Sequence, residues 1–343
     1  MTAIDDNSPA YQTKYIRHAI TQYNKTLREK HRWLRHQNAI GLSILILMII
    51  LTIISSVLYI ENSIPWWLCV LLNAFFISIV HEIEHDLIHQ LYFKKNKLMH
   101  NTMLSLAWLV RPSSPNPWVR RKLHLRHHQI SGSKEDLEER ALTNGFQWGL
   151  PRFYMMADLM LSSIKVIADI ETWKGKLHAS WVGFKSYVPV TALTWLLWYC
   201  FLLFHTIDGL FTLSGNPISW SDNLLTFIHY LNITTVILIA PNVLWTFCLH
   251  FVSSNMHYYG DIDSNNVTQQ TQVMNSYWMW PLNMFCANFG STHSIHHFVV
   301  NEPFYIRQMS AKTSHQAMKK MGVRFNDFGT FRRSNRWSKQ DRT

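Results

Sequence analysis

Four apolar stretches without lysine or arginine interrupt an otherwise polar chain. Residues 40–60 and 188–213 are long enough to cross the roughly 30 Å hydrocarbon core of a bilayer. Residues 64–80 form a shorter span. Residues 224–252 form a longer one, which at about 1.5 Å per residue would extend ~43 Å and should tilt, kink at Pro241 or project beyond the bilayer. The pattern predicts an all-α membrane protein with four transmembrane helices.

The distribution of basic residues predicts how these helices are oriented. The short connections 61–63 and 214–223 contain no lysine or arginine and join the spans into two hairpins. All 32 basic residues lie elsewhere, seven in 1–39, fifteen in 81–187 and ten in 253–343. By the positive-inside rule, both termini and the long middle segment face the cytoplasm. We therefore expect a helical cap on the cytoplasmic side, in a bacterial inner membrane.

The same pattern divides the chain into three parts. Residues 1–39 form a basic cytoplasmic N-terminal segment, residues 40–330 the membrane domain, and residues 331–343 a disordered basic tail whose expected contact is lipid head groups. Three apolar segments are too short or too mixed to span, so we expect them at the membrane interface or buried in the cap. They are residues 98–110, 153–170 and 273–289.

Composition agrees with a protein that is partly in lipid. Charged residues make up 15% of the chain, against about 25% in globular proteins, which excludes a soluble enzyme. The mean hydropathy of −0.04 excludes a compact transporter bundle. The net charge of +11 follows the topology and no zinc-finger spacing is present, so nucleic-acid binding is not expected. The four cysteines form no CxxC pair, which argues against a disulfide framework or a sulfur-ligated metal.

Histidines are both numerous and clustered. The chain has 19, and two HxxHH motifs among 343 residues are far more than chance would give. Nine histidines form three boxes, whose sequences are HEIEHDLIH, HLRHH and HSIHH. They are His81, His85 and His89; His124, His127 and His128; and His293, His296 and His297.

The spacing within the boxes favours metal binding. Residues four apart lie on one face of a helix, so His81 and His85 can bind one ion and His89 continues the same face. In HxxHH the third histidine turns about 100° from the face of the first two, so one helical turn can serve two ions. Imidazole alone does not select between iron, zinc, copper and nickel. Eight or nine imidazoles exceed the four of a structural zinc site and indicate two ions.

Other side chains near the boxes are candidates for the same site. His257, at the end of the fourth span, is a further candidate ligand, and His89 is either a ligand or an outer hydrogen-bonding partner. Carboxylates commonly accept the second ring N–H of a ligand histidine and fix its tautomer. The candidates for that role are Glu82, Glu84, Asp261 and Asp263.

The pattern HxxxH, HxxHH, HxxHH around two transmembrane hairpins resembles the integral-membrane fatty acid desaturase/hydroxylase superfamily of di-iron enzymes. The likeness covers residues 40 to about 305, and the NMHYYG stretch is similar to the NYxEHYG element of alkane hydroxylases. The resemblance implies two iron ions, O2 as co-substrate and a fatty acid or fatty acyl substrate. The ligands it implies are His81, His85, His124, His127, His128, His257, His293, His296 and His297.

Two different classes of function compete with this interpretation. HEIEH also matches HExxH, the signature of zinc proteases in which Glu82 would be the general base. That interpretation leaves the two HxxHH boxes unexplained. A metal transporter would carry ionisable ligands near the bilayer midplane, whereas the boxes lie outside the spans.

The reaction and the electron supply are less constrained. The segments LEERALTNG (137–145) and HHFVVNEPFYIRQ (296–308) resemble bacterial members that convert fatty acids to terminal alkenes. We expect desaturation of an acyl chain, with decarboxylation to a 1-alkene or hydroxylation as alternatives. The chain has no GxGxxG, no HPGG and no cysteine cluster, so electrons must come from an external donor such as a ferredoxin or cytochrome, which a basic surface would attract.

Overall fold

The structure is a computed structural model and describes residues 8–338. All regular secondary structure in that range is helical, with two isolated β-bridges between loops, so the prediction of an all-α protein is confirmed. The α-helices are α1 (Pro9–Lys30), α2 (Gln37–Ile60), α3 (Trp66–Ile88), α4 (Lys97–Val110), α5 (Pro117–Ile130), α6 (Leu137–Ala141), α7 (Leu150–Ala157), α8 (Leu159–Ala168), α9 (Trp173–Tyr187), α10 (Val190–Leu213), α11 (Asp222–Thr234), α12 (Ala240–Met256), α13 (Val267–Gln270), α14 (Trp280–Met284), α15 (Phe289–Phe298) and α16 (Phe304–Lys320). Short 3₁₀ turns cover Arg32–Arg35, Tyr277–Met279 and Phe328–Thr330.

Four helical stretches within the described range are long and apolar enough to cross a membrane. They are α2, α3, α10 and the continuous stretch Asp222–Met256, which joins α11 to α12. Each predicted span begins within three residues of the start of one of these stretches, which confirms the four predicted transmembrane helices. The helix α3 continues past its apolar part to Ile88, and so the first histidine box is helical as expected.

The fourth stretch is longer than a bilayer requires. Its 35 residues extend about 52 Å at 1.5 Å per residue, against roughly 30 Å of hydrocarbon. Its last twelve residues are largely buried by other elements of the protein. The end of α3, from Val80 to Ile88, is buried in the same way. Helices outside the four stretches pack around these two buried ends, and this packed region is called the cap below.

The joint between α11 and α12 is a π-helical turn, Thr235–Ile239, directly before Pro241. Proline has no N–H and its ring clashes with the preceding turn of an α-helix. A π turn is a common way for a helix to accommodate such a local change in its hydrogen bonds. The predicted irregularity at Pro241 is therefore a π turn within an otherwise continuous helix.

Buried polar contacts join the two hairpins. The side chain of Asn73 on α3 is fully buried and hydrogen-bonds Ser55 on α2. Its Nδ2 atom also donates to the carbonyl oxygen of Ile237 in the π turn, at 2.9 Å. An amide in an apolar interior is stable only when it is hydrogen-bonded, so Asn73 fixes the register of α3 against both α2 and the fourth stretch.

The described part of the basic N-terminal segment packs on the cap. Ile16 and Ile20 of α1 are fully buried, in an apolar cluster with Ile295 and Met318. Farther along α1, Arg28 forms a two-pronged ion pair with Glu302, at 2.6 and 3.1 Å. The first helix is thereby attached to the helices that follow the third histidine box.

The prediction of a disordered C-terminal tail is wrong for residues 331–338; residues 339–343 lie outside the described range. Asn335 is fully buried. Its side-chain amide donates to the carbonyl oxygens of Ser254 and His257, while its Oδ1 accepts from Arg152 at 2.6 Å. Basic composition suggested a solvated tail, but one asparagine with three buried partners attaches the segment to the end of α12.

All three segments expected at the interface or in the cap expose apolar side chains; in the segment 153–170 these include Tyr154, Leu161 and Ile164. The segment 98–110 is α4, with Met103 and Ala107 buried and Leu98 80% exposed. In the segment 273–289, Trp278 is also 80% exposed. Large apolar side chains exposed to this extent are typical of a surface that contacts lipid.

Candidate metal centre

The three histidine boxes and His257 converge on one buried region of the cap. The first box lies at the C-terminal end of α3, the second on α5 and the third on α15, while His257 caps the C-terminus of α12. The helix α5 starts at Asn116, whose side chain accepts from the amides of Trp118 and Val119, with Pro117 in its first turn. Such caps are strong helix-initiation signals, and they place the second box on the last turns of α5.

One group of histidines combines all three boxes. The imidazoles of His85, His89, His124 and His296 each offer a nitrogen within 4.8 Å of the others. The Nε2 atom of His89 lies 3.0 Å from that of His124 and 3.0 Å from that of His296. His128 adjoins this group, with its Nε2 3.2 Å from that of His124 and 3.0 Å from that of His296.

A second group lies beside the first. It consists of His127, His257, His293 and His297, all buried, again with one nitrogen each within 4.8 Å. The Nε2 atoms of His293 and His297 are 3.2 Å apart. The two groups are in direct contact, because the ring centroids of His124 and His127 are 5.6 Å apart.

His81 is placed differently from the other predicted ligands. It belongs to neither group, and its ring centroid is 6.2 Å from that of His85. Its Nε2 atom contacts Nη2 of Arg120 at 3.4 Å, and its ring packs against Trp245 with centroids 5.3 Å apart. Eight of the nine predicted ligands therefore lie in or beside the two groups, together with His89.

Acceptor oxygens fix the protons of four of these imidazoles. The Nδ1 atom of His124 faces Glu138 at 3.0 Å, and that of His127 faces Asp136 at 2.8 Å. In the same way Nδ1 of His257 faces the carbonyl oxygen of Ser253 at 2.8 Å, and that of His297 faces Oε1 of Gln270 at 3.1 Å. A carboxylate or carbonyl oxygen can only accept, so in the neutral form of each ring the proton lies on Nδ1 and the lone pair is on Nε2.

This donor set fits two metal ions. Nitrogen ligands at about 2.1 Å from one ion, at right angles to each other, lie roughly 3.0 Å apart, which is the spacing of the Nε2 atoms in both groups. Lone pairs at that distance repel unless a cation or proton lies between them. In addition, His85 has no hydrogen-bond partner on either nitrogen and His257 none on Nε2 among the described residues. Buried polar atoms without partners are rare in folded proteins and indicate a missing ligand.

Burial keeps most of these imidazoles neutral, as metal binding requires. Burial lowers the pKa of His89 to about 2 and that of His257 to about 4. His127 is the exception. Burial alone would lower its pKa, but the carboxylates of Asp136 and Glu139 raise the pKa to about 10. The carboxylates responsible are the ones that orient its Nδ1–H, and they increase the basicity of Nε2.

The carboxylates predicted beside the histidines have other partners. Both oxygens of Glu84 are bonded to arginines, Arg111 and Arg120. Asp261 accepts from the amides of Trp337 and Ser338. The remaining two are Glu82, which is bonded to Arg307 with an oxygen 3.5 Å from Nδ1 of His81, and Asp263, which accepts from the amide of Asn265.

The carboxylates that do contact histidine Nδ1 atoms lie after the second box. Asp136 uses one oxygen for His127 and the other to cap α6 through the amide of Glu139. Glu138 contacts His124, and Glu139 lies 3.3 Å from Nδ1 of His127. The available sequence signal was an acidic helix start, with Asp136, Glu138 and Glu139 lying nine to fourteen residues after the histidines that they contact.

A cavity of about 120 Å3 adjoins the histidines, between the ends of α3, α5 and α12. His81, His85, His124, His127, His257 and His293 line one part of its wall. The apolar part of its wall includes Leu123, Leu142, Leu159, Trp245, Leu249 and Phe289. A mostly apolar cavity with a few convergent polar groups is typical of a site for a small apolar ligand.

The arrangement does not match a zinc protease. In an HExxH site the two histidines bind one ion and the glutamate faces it. Here His85 joins a group from which His81 is absent, and Glu82 is bonded to Arg307. The two HxxHH boxes supply most of the clustered imidazoles.

Comparison with known families agrees with the geometry of the site. The model of the fatty acid desaturase family matches residues 61–329, which include all three boxes and His257. Among curated proteins, none matches the chain. The match covers well over half of the chain, and the chain belongs to the fatty acid desaturase family.

Proposed function

We propose that this protein is a membrane-bound, O2-dependent di-iron oxidoreductase that desaturates fatty acyl chains. The observation that carries the proposal is the pair of adjacent four-histidine groups, each with Nε2 lone pairs directed inward, beside an apolar cavity. Family membership supports an acyl substrate and redox chemistry.

Each histidine group would hold one iron. His85, His89, His124 and His296 would bind the first, with His128 as a fifth imidazole. His127, His257, His293 and His297 would bind the second. His81, a ligand by family resemblance, would have to release Arg120 before its Nε2 could bind metal.

Bound iron would supply the redox chemistry by which O2 attacks an unactivated C–H bond. The protein's own residues would position the substrate. The leucines and aromatic rings of the cavity wall would hold an acyl chain against the histidines and exclude water. Glu138 and Asp136 would keep His124 and His127 in the tautomer that presents Nε2.

The excess of lysine and arginine outside the spans supports a cytoplasmic position for the cap and both termini. In that position the site would be accessible to an acidic ferredoxin or a cytochrome, which a basic surface attracts. The host membrane would be a bacterial inner membrane.

Metal analysis and a labelled substrate test the proposal. We expect the purified protein to hold two irons per chain and to consume O2 only with a reductase system. With a fatty acid carrying ¹³C at the carboxyl carbon, a desaturated product retains the label and lacks two hydrogens. Loss of the label as CO2, with a 1-alkene formed, identifies decarboxylation instead, and retention with an added oxygen identifies hydroxylation. Zinc without iron, or product formed without O2, contradicts the proposal.

A further inference from the structure

The cavity beside the histidines contains a buried arginine with half of its guanidinium unused. Arg111 is fully buried, and its Nη1 is bonded to Glu84. Its Nε and Nη2 atoms have no acceptor among the described residues. These two nitrogens form one edge of the guanidinium, the edge that binds a carboxylate through two parallel hydrogen bonds. Buried donors without acceptors are costly, so this edge is suited to an anionic ligand.

Two further polar atoms of the cavity wall also lack partners within the described residues. They are the indole Nε1 of Trp245 and the hydroxyl of Thr246, both in side chains at most 3% exposed. Indole N–H can only donate. The Trp245 ring lies against the guanidinium, with its centroid 4.2 Å from Cζ of Arg111. The wall of the cavity thus carries further unpartnered hydrogen-bonding groups besides the edge of Arg111.

The local charges favour an anion at the same place. Arg111 shares its one counter-ion, Glu84, with Arg120, whose Nη1 lies 2.9 Å from the other oxygen of that carboxylate. Arg120 has a second carboxylate, Glu138, at 3.5 Å, whereas among the described residues Arg111 forms no ion pair besides that with Glu84. Burial lowers the pKa of Arg111 to about 10, so its guanidinium is still charged at neutral pH.

We propose that Arg111, together with Trp245 and Thr246, binds the carboxylate of an unesterified fatty acid. This rests on the proposed function, and it names the substrate class as a free acid. The Nε–H and Nη2–H groups donate to the two carboxylate oxygens, and the indole and hydroxyl add a third and fourth donor. Because Arg111 is fully buried, the site suits a bare carboxylate and not the bulky carrier of a thioester.

The position of Trp245 determines which end of the bound fatty acid lies near the first histidine box. Its ring contacts both the guanidinium of Arg111, at 4.2 Å, and the ring of His81, at 5.3 Å between centroids. A carboxylate on Arg111 therefore lies close to the histidine end of α3. The C–H bonds presented to the histidine groups are then those near the carboxyl end of the acid.

Equilibrium binding to the purified full-length protein tests the proposal. Lauric and palmitic acid are each compared with the primary alcohol of the same chain, without reductant and without O2, so that no turnover occurs. We expect the native protein to bind each acid at least about tenfold more tightly than its alcohol, since charge-assisted hydrogen bonds are about twice as strong as neutral ones. Arg111→Lys keeps the charge beside Glu84 but loses the two-nitrogen edge. It should remove most of that preference while alcohol binding changes little.

Arg152→Lys is the matched control. Arg152 is 1% exposed and also lies over an aromatic ring, that of Phe331, but all three of its side-chain nitrogens are hydrogen-bonded within the protein. This variant should be less stable to heat yet keep the preference for the acid. If Arg111→Lys does not fold, Trp245→Phe provides a second test. This variant keeps an aromatic ring at the position but removes the indole N–H donor, so binding of the acid should weaken a few-fold while binding of the alcohol is unchanged.

Equal binding of acid and alcohol by the native protein would overturn the proposal. Equal weakening of acid binding and alcohol binding in Arg111→Lys or Trp245→Phe would also overturn it, because that result would indicate a purely structural role for the residue. Iron content is measured on the same samples. A protein with two irons and no acid preference contradicts only this inference, whereas acid preference in a protein that binds no iron contradicts only the proposed function.

Discussion

The Nδ1 atom of His124 lies 3.0 Å from Oε2 of Glu138, fourteen residues farther along the chain. This contact presents Nε2 of His124 to the first histidine group. Glu138→Gln keeps the size of the side chain but removes the charge that holds the N–H. We expect iron affinity to fall about 10- to 100-fold, as is typical when such a partner is lost. Iron retained against a graded series of chelator concentrations measures the effect.

Glu135→Gln is the control for that change. Glu135 lies in the loop that leads into α6, the helix that carries Glu138; it is exposed and lies outside both histidine groups. Its amide variant should bind iron like the native protein. An equal loss of iron affinity in the two variants would mean that the net charge of this segment matters and that the contact with His124 does not.

Substitution of single histidines should distinguish the members of the two groups from the other histidines of the chain by their effect on bound iron and turnover. His85→Ala, His127→Ala or His296→Ala opens the coordination sphere of an ion, so we expect less bound iron and no turnover, with membrane insertion intact. His178→Ala, at an exposed position on α9, should leave both within a few-fold. Iron per chain and O2-dependent product are the measurements, and a similar loss at His178 would show general fragility.

His81→Ala addresses the histidine that the structure separates from both groups. If His81 acts through its contacts with Arg120 and Trp245, the variant should keep most of its iron while turnover falls. Loss of iron equal to that in His85→Ala would show that His81 is a ligand after all.

Both termini and the cap should face the cytoplasm. Reporter domains fused after residue 130, just past the second box, and after residue 300, beyond the third, should show cytoplasmic activity because the flanking segments are rich in lysine and arginine. A fusion in the connection 214–223 should report the opposite side. Periplasmic activity at residue 130 or 300 would refute the topology.

Asn335 should contribute measurably to stability although it lies near the C-terminus. Asn335→Ala leaves the carbonyl oxygens of Ser254 and His257 and a guanidinium nitrogen of Arg152 without this partner. We expect a loss of about 1–3 kcal/mol, seen as a lower midpoint of thermal unfolding. Arg332→Ala, at an exposed neighbouring position, should unfold at the native temperature.

Sequence patterns were sufficient for the membrane helices and the boxes because both depend on local spacing. Spans are runs of apolar residues, and His81, His85 and His89 share a helix face whatever surrounds them. Adjacent boxes on helix ends were therefore predictable as one site. The sequence could not show that His89 would join His85 while His81 would contact Arg120. That choice depends on where α5 crosses α3, which is a tertiary contact.

The hydrogen-bond partners of the histidines depend on the conformation of loops, and loops have no periodic sequence pattern from which that conformation could be predicted. Asp261 was a reasonable candidate because it follows His257 closely, but the chain turns after His257 and Asp261 bonds the amides of Trp337 and Ser338. Gln270 reaches His297 only because the loop after α12 folds back along α15. The spacing of residues along the sequence could not predict these contacts, because the residues that form them are distant in the sequence.

The π turn at Thr235–Ile239 sets the angular phase of everything after it. A π turn amounts to one extra residue in an α-helix, and one residue rotates the helix by about 100°. Deleting a single residue there would restore α geometry and turn Trp245 and Thr246 away from the cavity, together with His257 at the helix end. One extra residue within the fourth apolar stretch thus determines which side chains the last turns of that helix present to the cavity, although the side chains themselves are unchanged.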